Sequence, residues 1–79
     1  MFSPSQIRAA RALVGWSQTD VAIGAGLSVP TVKRAEAEGG IRVSEDAMLA
    51  IGNALKKAGV EFIAENGGGA GVRLRKAKR

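Results

Sequence analysis

Trp16-Ser17-Gln18-Thr19-Asp20-Val21-Ala22-Ile23-Gly24-Ala25-Gly26-Leu27-Ser28-Val29-Pro30-Thr31-Val32-Lys33-Arg34-Ala35-Glu36 reads as two short helices meeting at a glycine. Ser17 is an N-cap, and Asp20 at the third helical position completes an approximate capping box. Val21, Ala22 and Ala25 recur at helical spacing and make one small apolar face. Gly26 is free to take the left-handed conformation that stops a helix, and Leu27 then packs back over the turn. Ser28 caps a second helix, with Pro30 in its first turn, where a missing N–H is tolerated. On that helix Val32, Ala35 and Glu36 share one face. The outward positions come from among Val29, Pro30, Thr31, Lys33 and Arg34. A helix, a short turn with glycine and a second helix with a polar, basic outer face form the helix-turn-helix arrangement.

On these residues the chain resembles the Cro/phage-repressor-type (xenobiotic-response-element-like) DNA-binding family. The matching positions are Gln18 opening the first helix of the unit, Ala22 at its middle, Gly26 in the turn, Val32 inside the second helix and Glu36 near its end. The likeness spans residues 5–58, with small, glycine and apolar residues matching together at fixed offsets. It departs in two places. Family members usually carry polar residues where Val29 and Pro30 stand, and a larger aliphatic residue where Ala35 stands, which implies a thinner core here. The resemblance also implies an ion pair between Arg11 of the preceding helix and Glu36, holding the recognition helix at its angle.

Outward from the unit, Ser3-Pro4-Ser5-Gln6 is a capping box with proline at N1. Ile7, Ala10 and Val14 mark one face of the helix that follows, with Leu13 beside it, and Gly15 ends it. Trp16, the only tryptophan, is expected to pack this helix against the next rather than to stack on a ligand. Downstream, residues 38–43 read as a loop, and Ser44 caps another helix with Glu45 and Asp46 at its positive end. Ala47, Met48, Ile51, Ala54, Leu55 and Ala58 give that helix an apolar stripe, closed by Lys56, Lys57 and Gly59.

The last segment changes character. Residues 60–64 hold β-formers in partial alternation, 65–71 are a glycine-rich turn, and 72–75 alternate strictly, which predicts a β-hairpin. In the family a further short helix commonly stands here. The expected fold class is therefore mainly α: a small bundle of about four helices containing a helix-turn-helix, with a C-terminal β-hairpin. The division expected is a helix-turn-helix domain at 1–59, a hairpin at 60–75 and a basic tail at 76–79. A lone two-stranded hairpin is marginal in water, so it calls for a covering surface, and a second copy of the chain is the simplest. Val60, Phe62, Val72 and Leu74 are the candidate dimer-strand residues.

Seventy-nine residues allow one domain with a modest core. With no cysteine and no histidine, disulfides, thiolate metal sites and histidine catalysis are excluded, and no cofactor is implied. The acids are accounted for by caps, loops and solvated faces, and the expectation is a protein that is not an enzyme. The run 67–71 lacks a following helix and any Gly-Lys-Ser/Thr element, so it does not read as a phosphate loop. No apolar run approaches membrane-spanning length, and no charged stretch precedes an apolar one at the start, so a cytoplasmic location is expected. Net charge is +5, and Arg73, Arg75, Lys76, Lys78 and Arg79 supply that excess. Basicity alone does not assign nucleic acid to the helices; where their charges sit must do so.

Two functions remain. The favoured one is a sequence-specific double-stranded DNA-binding transcriptional regulator, acting as a homodimer with recognition helices about one DNA turn apart, roughly 34 Å. The alternative is an antitoxin-like module whose hairpin or tail grips a protein partner. By resemblance the base-facing positions are Val29, Pro30 and Arg34; Arg34 suits a bidentate contact to guanine, while Val29 and Pro30 offer apolar contact. Ser17, Gln18, Ser28, Thr31, Lys33 and Arg42 are the candidates for phosphate or groove-edge contact. For Lys33 and Arg42 an ordinary solvated side chain is an open alternative. The tail reads as an electrostatic arm on phosphates, a solvated end, or a grip on an acidic partner.

Overall fold

Four helices and a hairpin follow one another along the chain: α1 (Pro4–Val14), α2 (Gln18–Ala25), α3 (Val29–Glu36), α4 (Glu45–Lys57), β1 (Val60–Ile63) and β2 (Gly71–Leu74). They come from a computed structural model that describes residues 3–37, 43–65 and 67–75. The mainly helical class with a C-terminal antiparallel hairpin is the one the sequence predicts. Arg42, most of the loop expected at 38–43 and the tail at 76–79 lie outside the described residues.

The helix boundaries are set by short local signals, and one signal occurs twice. Gly15-Trp16-Ser17 and Gly26-Leu27-Ser28 each end one helix and begin the next. Gly15 and Gly26 sit at φ 69° and 70°. The Trp16 N–H donates back to the Arg11 carbonyl at 3.0 Å, and the Leu27 N–H to the Ala22 carbonyl at 2.9 Å. That bond satisfies orphan carbonyls of the last turn and points the apolar residue after the glycine back over the core. Each serine then takes up the third N–H of the next helix: Ser17 Oγ accepts from Asp20 N at 3.0 Å, and Ser28 Oγ from Thr31 N at 3.3 Å.

Ile7, Ala10, Val21, Ala22, Val32, Ala35, Ile51, Leu55 and Val60 make the core, with Trp16, Leu27, Phe62 and Val72 packed against it. Three of the nine core residues are alanines, so few large side chains carry the burial. Ile7, Ile51, Leu55, Val21, Val32 and Val60 are the largest fully buried side chains, and each is worth about 1.5–3 kcal/mol of transfer free energy.

One of those six belongs to the hairpin, which alters the expected organisation. The hairpin is not an appendage to a helical domain at 1–59 but a wall of the same core. Val60, expected at a dimer strand, is 1% exposed within its own chain. Phe62 and Val72 pack on that core too, leaving Leu74, 51% exposed, as the open member of the four. The physical reason is a cover the sequence did not reveal. Gln6, buried on α1, donates from Nε2 to the Ile63 carbonyl at 3.2 Å and to the Gly71 carbonyl at 3.0 Å, while its Oε1 accepts the Ser3 N–H at 2.8 Å. Ile63 and Gly71 face each other as a rung of the hairpin. One amide thus closes the capping box of α1 and clamps the hairpin across it.

The strands pair antiparallel with Val60 opposite Leu74 and Phe62 opposite Val72, and begin and end one residue earlier than expected at 64, 72 and 75. Glu61 and Arg73 pair across the strands at 2.8 Å. In the connecting turn Glu65 Oε2 accepts the N–H groups of Gly67 at 3.1 Å and Gly69 at 3.0 Å. The carboxylate thus templates the glycine turn from inside. Glu65→Ala should therefore lower stability by about 1 kcal/mol, because exposed amides regain water when the carboxylate is gone. Urea unfolding measures this; an unchanged midpoint would remove Glu65 from the hairpin's support.

Candidate nucleic-acid interface

The second helix of the unit, α3, divides sharply. Val32, Ala35 and Glu36 are buried, whereas Pro30, Lys33, Arg34 and Ala37 are exposed. The exposed set follows the i, i+3, i+4, i+7 spacing of one helical stripe. Its two cations lie side by side with no acid on the stripe. Arg34 Nη2 reaches back toward Thr31 Oγ1 at 3.5 Å, a long contact that inclines the guanidinium along the helix toward its N-terminus. Ser28 Oγ and Thr31 Oγ1 lie 2.9 Å apart and hydrogen-bond each other, so both hydroxyls sit at that same end.

Val29 departs from its expected base-facing role. It is half-buried and packs against the core. As the first residue of α3 it starts a turn whose apolar side is drawn under the helix, leaving Pro30 as the exposed apolar member.

Gln18 departs as well. Its Nε2 donates to Glu36 Oε1 at 3.1 Å, so its amide is turned toward the protein rather than held out at the end of α2. Ser17 keeps its place at that end, but it shares it with the exposed carboxylate of Asp20, which accepts the Ser17 N–H at 2.9 Å. A carboxylate there already satisfies the helix dipole and opposes a phosphate.

Behind the stripe lies a polar network that holds α3 in place. The Glu36 side chain is 4% exposed and that of Arg11 25%. Arg11 grips the carboxylate with two N–H groups, Nε to Oε2 at 2.7 Å and Nη2 to Oε1 at 3.0 Å, and its Nη1 donates to the Trp16 carbonyl at 3.0 Å. Arg8 adds a hydrogen bond from Nη1 to the Glu36 carbonyl at the end of α3. A cation there complements the negative end of the helix. Two arginines from α1 and Gln18 from α2 therefore converge on one residue of α3, and the α1–α2 turn steadies Arg11 through the Trp16 carbonyl. Among the described residues no buried side-chain polar atom lacks a partner.

The roles of Gln18 and Arg8 in this network were not readable from their own segments. Each is set by a partner far along the chain, and the only local clue was Glu36, an acid on an otherwise apolar face, which demands donors. Arg42, the remaining groove-edge candidate, lies outside the described residues.

Comparison with models of known protein families finds no match to this chain, and comparison with curated proteins finds none either. No helix among the described residues is long and apolar enough to cross a membrane.

Proposed function

We propose that this chain is a sequence-specific double-stranded DNA-binding transcriptional regulator of the Cro/phage-repressor type, working as a homodimer that sets α3 into successive major grooves. One observation carries the reading: α3 exposes an acid-free stripe of Pro30, Lys33 and Arg34, while its opposite side is fastened to α1 and α2 through Glu36. A helix that presents side chains to base edges needs this combination, because readout is lost if the helix rocks against its scaffold. Arg34 is the base reader, forking onto the O6 and N7 of guanine, and Lys33, Thr31 and Ser28 are the phosphate and groove-edge contacts. A two-fold dimer is drawn together through what the core leaves open on the hairpin, Leu74 and the strand edges.

The test begins with selection of bound sequences from a random DNA pool, followed by titration of the selected duplex. Arg34→Ala should weaken that duplex by on the order of 1–3 kcal/mol and flatten the preference at one position. Lys33→Ala should weaken selected and random duplexes alike. No enrichment of any sequence from the pool would reject the function, and equal, sequence-independent losses for both variants would remove Arg34 from the reading set.

A further inference from the structure

A second basic surface lies apart from α3. A shallow groove of about 300 Å³ runs along β1 and is lined by Lys56, Val60, Glu61, Phe62, Ile63, Arg73 and Arg75. α3 packs on α1, α2 and α4, whereas the hairpin packs on α1 and α4 and leaves from the C-terminal end of α4. Occupying the groove therefore does not require covering the stripe of Pro30, Lys33 and Arg34.

The chemistry of the groove is specific in two respects. Its lining is mixed, and its apolar part comes from the half-buried Phe62 and Ile63. Its walls carry three cations against one acid, and that acid, Glu61, is already paired with Arg73 at 2.8 Å. Arg75 is oriented by its bond from Nη2 to the Lys56 carbonyl at 2.6 Å. Each guanidinium has five N–H donors, so Arg73 and Arg75 keep several for an incoming carboxylate.

We propose that this groove is a docking site for an acidic peptide segment that carries an apolar anchor, independent of the DNA-reading helix. Charge complementarity selects the occupant. A second copy of the chain stacked two-fold on this face would bring Lys56, Arg73 and Arg75 against their own equivalents, which repel. A phosphate backbone would meet the cations but has nothing to place on Phe62 and Ile63. An acidic segment with leucine or phenylalanine between its carboxylates satisfies both.

The probe is a short fluorescent peptide alternating aspartate or glutamate with leucine, titrated by anisotropy against the full chain at near-physiological salt. Saturable binding is expected, weakened about tenfold or more when Lys56→Gln and Arg73→Gln are combined, with the melting temperature of the variant unchanged. A peptide with serine for every leucine should bind about tenfold more weakly, and Lys33→Gln with Arg34→Gln should leave peptide affinity as it was. Equal binding of the leucine and serine peptides would overturn the proposal, as would no binding at millimolar peptide. Displacement of the peptide by a random duplex, with DNA affinity falling in the Lys56/Arg73 variant, would assign the groove to nucleic acid instead. Peptide affinity that falls as the chain self-associates at rising protein concentration would assign the groove to a second copy.

Discussion

Arg11→Ala is expected to destabilise the fold by about 3–5 kcal/mol, with Tm falling by more than about 10 °C for a domain of this size. The cost arises from what is left behind more than from the attraction that is lost. Glu36, 4% exposed, loses both N–H groups of its bidentate partner, and the Trp16 carbonyl loses its donor as well. A double variant with methionine at both 11 and 36 removes the charge along with its partner, so it should recover much of the loss. If α3 reads DNA as proposed, the double variant should not recover binding to the selected duplex, because α3 then loses its polar fastening to α1 and α2. Thermal melts of the two single variants and the double variant form the measurement. A loss below about 1 kcal/mol for Arg11→Ala would mean that the pair behaves as a solvated surface bridge.

The second large effect is expected at Gln6. Gln6→Leu keeps the volume but strips the donors from the Ile63 and Gly71 carbonyls and the acceptor from the Ser3 N–H, for about 2–3 kcal/mol in all. Gln6→Glu keeps the acceptor for Ser3 but turns a buried carboxylate oxygen on the Ile63 and Gly71 carbonyls, so it should break the clamp by repulsion while the cap remains. Hydrogen exchange gives the readout: in both variants the amides of β1 and β2 should lose protection before those of α2 and α3. If the strand amides keep their protection relative to the helices, Gln6 is a cap and the hairpin is held by its apolar side chains alone.

The helices were legible because serine, glycine and proline act within three or four residues, so Ser3, Ser17, Ser28 and Ser44 announce their own helix starts. The exposed stripe of α3 was legible for the same reason, since a period of 3.6 residues sorts Lys33 and Arg34 away from Val32 and Ala35. Gln6 shows where that reasoning stops. Its place in the capping box followed from spacing, yet its Nε2 finds partners 57 and 65 residues away. Nothing local distinguishes that amide from one facing water. The half-burial of Val29 was illegible for a related reason: at the first position of a helix, the direction of a side chain is decided by what lies beneath it. The hairpin was visible as alternation, but whether its apolar face met its own chain or another depended on α1, which is remote in sequence.

The clamp made by Gln6 also has a bearing on how the protein is born. Residue 6 leaves the ribosome 65 residues ahead of Gly71. The helices from α1 to α4 have strong local start and stop signals and are able to form as they emerge. Their core still has a gap where Val60 belongs and an α1 amide with unclaimed donors. Closing a loop of some sixty-odd residues carries an entropy cost that the strands must overcome in one late step. Until the strands have emerged the core lacks one of its walls, so the helices alone do not complete this fold.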